Sequence, residues 1–334
     1  MRFIFSAFTK QIKRCTKYIL KLIITPFILP LLKIFNILII YTGNNGYGDH
    51  LCMTPIIKEI FETYRYKIVI ITLYPDFFYN LPYVWKIVEL NNLKPSIKSI
   101  IIRLITLMEH KRVEVFKFKH EYYTMEEYVR MSKLMYPVAK MISMHFKIKL
   151  SYKYIYKNEI FLSKGEIEKY QIKFLFLPDK YAVVHSEGKK SYTPNKEWGA
   201  DKFQQVINSL NFIRWVQVGL TNHTRLNNTM DLRGKTTIRE LAYIINKAEF
   251  VVCLEGLYNH IASAFNTKSI TIFSGFHPIT AANYPNTVPV VRNPQVPCSP
   301  CMLLSPCPVC GKPCTNDIAP KTVIDTIRQH IHIN

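Results

Sequence analysis

The residues best placed to do chemistry stand where an apolar strand gives way to a loop and a helix. Ligands of open α/β sheets bind at such carboxyl ends of strands. The stretch 250-FVVCLEGLYNHIASAFNTKSITIFSG-275 holds a short apolar run, Phe250 to Leu254, that ends in Glu255 and Gly256. A helical stretch opened by His260 follows, and then a β-branched run from Ser269 to Phe273. This pattern predicts a βαβ unit of a parallel sheet. Gly256 lets a ligand approach the backbone, and the helix start offers unpaired N–H groups and a positive dipole end suited to phosphate. Glu255 can accept hydrogen bonds from sugar hydroxyls. Glu255 and His260 can equally be simple helix caps, and spacing alone leaves both readings open.

Two further segments carry the same kind of chemistry. Gly43, Gly46 and Gly48 make a glycine-rich turn after the apolar run Asn36 to Thr42. It is neither the dinucleotide fingerprint GxGxxG nor a P-loop, which ends in Gly-Lys-Ser/Thr. Asp49 stands where this loop enters a helix, either as a general base or as a helix cap. The segment 185-HSEGKKSYTPNKEWGADKF-203 brings Lys189, Lys190 and Lys196 together with Ser191, Tyr192 and Thr193. These are the charges and donors that a diphosphate needs, or else a solvated loop over Trp198. Near the C-terminus, Cys298, Cys301, Cys307, Cys310 and Cys314 give C-x2-C-x5-C-x2-C-x3-C. Paired C-x2-C knuckles point to a structural Zn or Fe site held by four of the five, with reduced thiols and disulfides as the alternatives. Cys15, Cys52 and Cys253 sit in apolar contexts and read as buried thiols.

The elements that position these residues alternate between strand and helix. Strands are predicted at Asn36 to Thr42, Lys67 to Leu73 and Trp85 to Leu90, with a helix from Met53 to Tyr64 that has Pro55 near its first turn. Helices are expected at Ile100 to Met108 and, behind a Thr124/Glu127 capping box, through Met144. Another capping box, Ser163 with Glu166, predicts a helix to Phe174. A second alternating half starts after Leu177-Pro178-Asp179: strand Tyr181 to Ser186, helix Asp201 to Leu210, strand Trp215 to Gly219, and a helix from Thr237 to Lys247 capped by Thr237 and Glu240. Residues 276–320 read as largely irregular, and a helix from Lys321 to Ile331 closes the chain. The expected organisation is a basic amphipathic segment 1–35, an α/β half 36–178, a second α/β half 179–320, and a C-terminal helix 321–334.

The 334 residues carry a net charge of +21, which implies an anionic partner. Residues 1–35 hold Arg2, Lys10, Lys13, Arg14, Lys17, Lys21 and Lys33 among Phe, Ile and Leu, with no acidic residue. That composition suits a helix lying in an anionic membrane interface, or an ordinary surface helix on the body. Lys21, Pro26, Pro30 and Lys33 argue against a spanning helix, and no small-residue cleavage site marks a signal peptide. The cysteine knuckle lacks the basic and aromatic interleaving of a nucleic-acid surface, so no nucleic-acid partner is expected.

Taken together, GYGDHLCMTP, NKEWGADKFQQVI, VQVG, DLRGKTTIRELAYIINKAEFVV, EGLYNHIASAFNTKSITIFSG and CSPC occur in the order found in glycosyltransferase family 9. The chain resembles these lipopolysaccharide heptosyltransferases from about Asn36 to Ile331. The resemblance implies the GT-B fold: two Rossmann-like domains facing across a cleft, with acceptor on the first and nucleotide-sugar, by family ADP-heptose, on the second. It implies inversion at the anomeric centre with no catalytic metal or other cofactor. Asp49, after Gly46 and Gly48, matches the family's proposed general base. Lys196 matches the lysine that neutralises the donor diphosphate, with Ser191 and Tyr192 where members place hydroxyls. Glu255 stands where many members have Asp against the donor sugar, and Gly256 and His260 fall in the same motif. Leu257 stands where members with a D-S/T-G pattern have Gly, so this chain departs from the family at the donor sugar. A lipid-linked or glycan acceptor and attachment to the cytoplasmic face of the inner membrane complete the expectation, against a different nucleotide-sugar donor, a protein acceptor or an inactive sugar-nucleotide binder.

Overall fold

The computed structural model describes residues 30–32, 34–43, 46–109, 115–117, 157–309 and 313–331. Residues 1–29, the Thr124/Glu127 pair and Cys310 lie outside the described residues. The first half runs β1 (Ile37–Tyr41), α1 (Tyr47–Cys52), α2 (Thr54–Tyr64), β2 (Lys67–Thr72), β3 (Val84–Glu89), α3 (Pro95–Glu109) and β4 (Val115–Lys117). Its strands form a parallel sheet in the order β3-β2-β1-β4. The order turns back at β1, so the crevice of this sheet opens at the end of β1, where the glycine-rich loop leads into α1.

Helix α4 (Lys164–Lys173) leads into the second half, which runs β5 (Ala182–His185), α5 (Ala200–Ser209), β6 (Trp215–Gln217), β7 (Thr229–Asp231), α6 (Ile238–Lys247), β8 (Phe250–Leu254), α7 (Leu257–Phe265), β9 (Lys268–Ile272), β10 (Thr287–Val290), α8 (Pro313–Asn316) and α9 (Pro320–His330). Its parallel sheet has the order β10-β9-β8-β5-β6-β7. Here the switch lies between β5 and β8, the strands that lead into the lysine loop and the Glu255 turn.

Every residue of β5 and β8 is buried, because helices cover both faces of the sheet. On one face α5 and α9 pack with Trp198 and Phe203. On the other, Ile244 of α6 and Ile261 of α7 share one apolar core with Leu38, Ile56 and Phe77 of the first half. The predicted capping boxes Ser163/Glu166 and Thr237/Glu240 are present at α4 and α6.

Several expectations are corrected. The helix expected from Met53 is preceded by α1, so Asp49 lies inside a helical turn capped by Gly46. Helix α7 opens at Leu257, with Gly256 as its N-cap, so His260 sits one turn in. The 276–320 region is largely irregular as expected, apart from short elements such as β10, whose Pro289 is tolerated because β10 is an edge strand without a second neighbour among the described residues to bond. The three-residue strand β7 is too short for its alternation to register.

A buried arginine ties the halves together. Arg239 of α6 forms a fork on Glu166 of α4 and donates to Phe161 O (2.6 Å) and, in the first half, to Asp76 O (2.8 Å). The Arg239 hydrogen bonds hold the Glu166 carboxyl down to about 2, and those from Ser163 add to this. A carboxyl depressed in the folded state contributes stability that is full above its unfolded pKa and is lost as pH falls through the folded one. Glu166 therefore contributes fully above about 4.5 and loses its contribution between there and about 2. Arg239→Ala is expected to lower unfolding free energy at pH 7 by roughly 2–3 kcal/mol. Urea titrations across this pH range should also show a flatter acid dependence in the variant; parallel curves for the two proteins would contradict the strut.

Candidate active site

Glu255 leaves the end of β8 with its side chain 2% exposed. Its Oε1 accepts from Ser274 Oγ (3.1 Å) and lies 3.9 Å from both Lys196 Nζ and His277 Nδ1. Its Oε2 is buried with no hydrogen-bond partner among the described residues. Burial pushes the Glu255 carboxyl up, and Lys196, Ser274 and the His277 backbone N–H pull it back. Burial likewise pushes the Lys196 ammonium down, against the pull of Glu255 and Asp49. Each charge is short of solvation and is supported chiefly by the other. The ammonium also lies 5.0 Å from the centre of the Phe276 ring and 5.9 Å from that of Tyr192. An anion entering here would meet a cation that water does not screen.

Local sequence explains how Lys196 is presented. Residues Pro194–Lys196 make a 3-10 turn, capped by the Thr193 hydroxyl on Asn195 N. The Asn195 side chain donates to Leu303 O and Ser305 O (both 2.7 Å) and accepts from Cys307 N (2.9 Å). Trp198 lies beneath, its Nε1 donating to Ile318 O. The cysteine-rich segment also reaches the Glu255 side of the site, since Cys301 N donates to Gly275 O and Met302 N to Phe276 O. Gly275 has φ +76°, and a Cβ there would fall 2.9 Å from Ser299 Oγ and 3.1 Å from Cys314 Cβ, so only glycine fits. The segment therefore buttresses both the turn that holds Lys196 and the loop that holds Phe276.

From the first half, α1 supplies Asp49. Its Oδ2 accepts from Gly46 N (2.9 Å), so the capping role is real. The same carboxylate acts electrostatically on Lys196, Tyr192 and His260 of the second half. His260 places its Cδ2–Nε2 edge against Gly48: a Cβ on Gly48 would lie 2.8 Å from Cδ2 and 3.3 Å from Nε2. Burial holds His260 down to about 4, so it is neutral near pH 7. Gly256, at φ +141°, has open space where a Cβ would stand, leaving its backbone bare at the start of α7.

Asp49, Tyr192, Lys196, Glu255 and His260 are thus brought together. Ser191 and Lys189 are exposed, and Lys190 is paired with Glu187 (2.5 Å). Reasoning from sequence missed Ser274, Phe276 and His277; applying the strand-end rule to β9 as well as β8 would have found them. It also missed Tyr284 and His50. His50 bridges Gly46 O (2.8 Å) and Thr42 Oγ1 (3.0 Å) and so pins the glycine-rich loop. At the end of β5, His185 stacks on Tyr258 with ring centres 3.6 Å apart, and His185 Nδ1 and Ser186 Oγ are buried without hydrogen-bond partners among the described residues.

Cys298, Cys301, Cys307 and Cys314 are free thiols, and the other three act electrostatically on Cys314. This soft donor set suits Zn or Fe chemically. Among the described residues, however, no group of three or more His, Cys, Asp or Glu is arranged around a metal position. The arrangement around Lys196 has a different capacity. A buried cation and a bare helix start can stabilise a departing anion, while a carboxylate from the other half can take a proton from an incoming hydroxyl.

Comparison with known proteins bears on that chemistry. The family model described as glycosyltransferase family 9 (heptosyltransferase) matches residues 130–306, more than half of the chain. No curated protein matches. Among solved structures, the chain is similar to a family 9 glycosyltransferase from Veillonella parvula (11% identity, 87% of this chain and 96% of that one, TM-score 0.58). It is similar to the ADP-heptose lipopolysaccharide heptosyltransferase II of E. coli (12% identity, 88% and 98%, TM-score 0.59). A third is the iron-containing dodecameric glycosyltransferase TibC of enterotoxigenic E. coli (14% identity, 87% and 77%, TM-score 0.63). At these identities the likeness speaks for the fold, and that fold is GT-B. No helix among the described residues is long and apolar enough to cross a membrane. Because the family match spans most of the second half, where the buried lysine and glutamate meet, the chain belongs to glycosyltransferase family 9 and is a glycosyltransferase.

Proposed function

We propose that this protein transfers a heptose, or a similar sugar, from ADP-heptose to a lipopolysaccharide or other glycan acceptor with inversion at the anomeric carbon. The observation that carries this reading is the buried Lys196–Glu255 pair of the second half with the Asp49 carboxylate acting on it from the first. Lys196 and the N–H groups at the start of α7 bind the diphosphate and stabilise its departure. Glu255 Oε2, without a hydrogen-bond partner among the described residues, accepts from a hydroxyl of the donor sugar. Asp49 takes the proton of the acceptor hydroxyl as that oxygen attacks the anomeric carbon from the face opposite the leaving group. These roles need no metal at the reacting carbon. Glu255 and Leu257 are the positions that set which sugar is accepted.

The general base is tested directly. Asp49→Asn is expected to lower kcat with ADP-heptose by about 10²–10⁴-fold, with ADP affinity by calorimetry within about twofold. Unchanged turnover would sink the assignment.

The cysteine segment holds a structural Zn or Fe through four of Cys298, Cys301, Cys307, Cys310 and Cys314. The metal would clamp the segment that buttresses Asn195 and Gly275. Elemental analysis of purified protein should find close to one metal per chain, lost in Cys301→Ser together with part of the affinity for ADP. A native protein free of metal would defeat this.

Residues 1–35 attach the enzyme to the anionic cytoplasmic face of the inner membrane, beside a lipid-linked acceptor. Full-length protein is expected to sediment with phosphatidylglycerol vesicles at low salt, and protein lacking residues 1–30 to stay in solution. Equal sedimentation of both would refute the attachment.

A further inference from the structure

A buried tyrosine sits at the joint between the halves. Tyr284 is 5% exposed. Its hydroxyl lies 2.7 Å from His260 Nδ1 and 3.7 Å from Sγ of Cys52, at the end of α1 in the other half. We propose that Tyr284 is a positioning residue that donates its O–H to His260 Nδ1, fixing the tautomer that carries its proton on Nε2 and turning that N–H toward the Gly48–Asp49 turn. The value of this N–H to catalysis rests on the transfer reading above.

The direction of the hydrogen bond follows from the three groups. A phenol is a stronger donor than a neutral imidazole N–H, and imidazole nitrogen is a stronger acceptor than either a phenol oxygen or a thiol sulfur. In the arrangement Cys52 S–H to Tyr284 O, then Tyr284 O–H to His260 Nδ1, each proton sits on the better donor. Reversing the chain would make the phenol O–H donate to sulfur, the weakest acceptor of the three. Burial pushes the Cys52 thiol up to about 12, so it keeps the proton that this order requires. Asp49 adds to the preference, since its negative charge acts on the ring whose Cδ2–Nε2 edge faces Gly48. Lys196 is the other charge that bears on His260. The Nε2–H is therefore turned toward Gly48 and the Asp49 turn, and a diphosphate brought to that edge would receive its hydrogen bond as charge develops.

The tyrosine is held rigidly enough for this. Asn259, beside His260, donates to Ala282 O (2.6 Å) and accepts from Ser269 Oγ (2.7 Å) and Thr287 Oγ1 (2.9 Å). Thr287 N in turn donates to Tyr284 O (2.8 Å). The segment bearing the phenol is thereby locked to the helix that bears the imidazole.

The test is the long-range ¹H–¹⁵N correlation spectrum of histidine-labelled, full-length protein at pH 7. His260 is expected to show the Nε2-protonated pattern in the native protein and in Cys52→Ala, and to move toward a mixture of tautomers in Tyr284→Phe. With ADP-heptose, Tyr284→Phe should lose about tenfold in kcat, with ADP affinity changed less than threefold. A native His260 protonated on Nδ1, or a Tyr284→Phe spectrum identical to native, would overturn the proposal. If the variant does not fold, a native His260 protonated on Nδ1 still overturns the proposal. Absence of transfer by the native enzyme would count against the donor assignment instead, and would leave the tautomer result standing.

Discussion

The site depends on two opposite charges buried 3.9 Å apart at the end of a fully buried strand. Taking an ammonium and a carboxylate out of water is costly, and their mutual attraction does not by itself repay it. The surrounding structure reflects that cost. Ser274 gives the carboxylate a hydrogen bond, Phe276 and Tyr192 give the ammonium their ring faces, and Asp49 adds a second negative charge from across the joint. What is left over is a lysine under-solvated on one side and a glutamate oxygen without a partner among the described residues, which is the state a ligand carrying both a diphosphate and hydroxyls would relieve. A site that waits to be completed by its ligand is preorganised for it in the sense that matters for catalysis: the charges are already in place when bonding changes.

Holding such a pair requires stiff support, and the chain provides it from an unexpected quarter. The cysteine-rich segment looks like a separate metal knuckle, yet Asn195 and Gly275 bind its backbone on either side of the Lys196–Glu255 pair. The second requirement is a defined approach between the halves. Arg239 and the shared apolar core hold them together away from the site, and the contact of Gly48 with His260 brings them together within it. A glycine is needed at that contact for clearance rather than for backbone conformation.

Much of this was legible in residue types and spacing. The alternation of strand and helix, the acidic end of β8, the lysine in the loop after β5 and the aspartate after β1 all follow from the rule that ligands meet α/β sheets at strand ends. What was not legible had physical reasons. Helix α1 contains Gly48 and follows Gly46, so YGDHLC reads as loop until the packing against α7 is seen. His260 was expected to open its helix because nothing in EGLYNH marks Gly256 as the N-cap; the backbone at φ +141° does. Tyr284 and β10 lie in a stretch rich in proline and cysteine with no periodicity to read, and their placement is decided by Asn259 and the edge of the sheet.

The central claim is that the buried lysine receives the donor's diphosphate while Asp49 faces the anomeric carbon from the other half. The most direct measurement is a crystal structure with ADP bound to a non-transferable heptose analogue. The account predicts diphosphate oxygens within hydrogen-bonding distance of Lys196 Nζ, a sugar hydroxyl on Glu255 Oε2, and the Asp49 carboxylate on the face of the anomeric carbon opposite the diphosphate. A nucleotide bound elsewhere, or an Asp49 carboxylate on the same face as the leaving group, would contradict it.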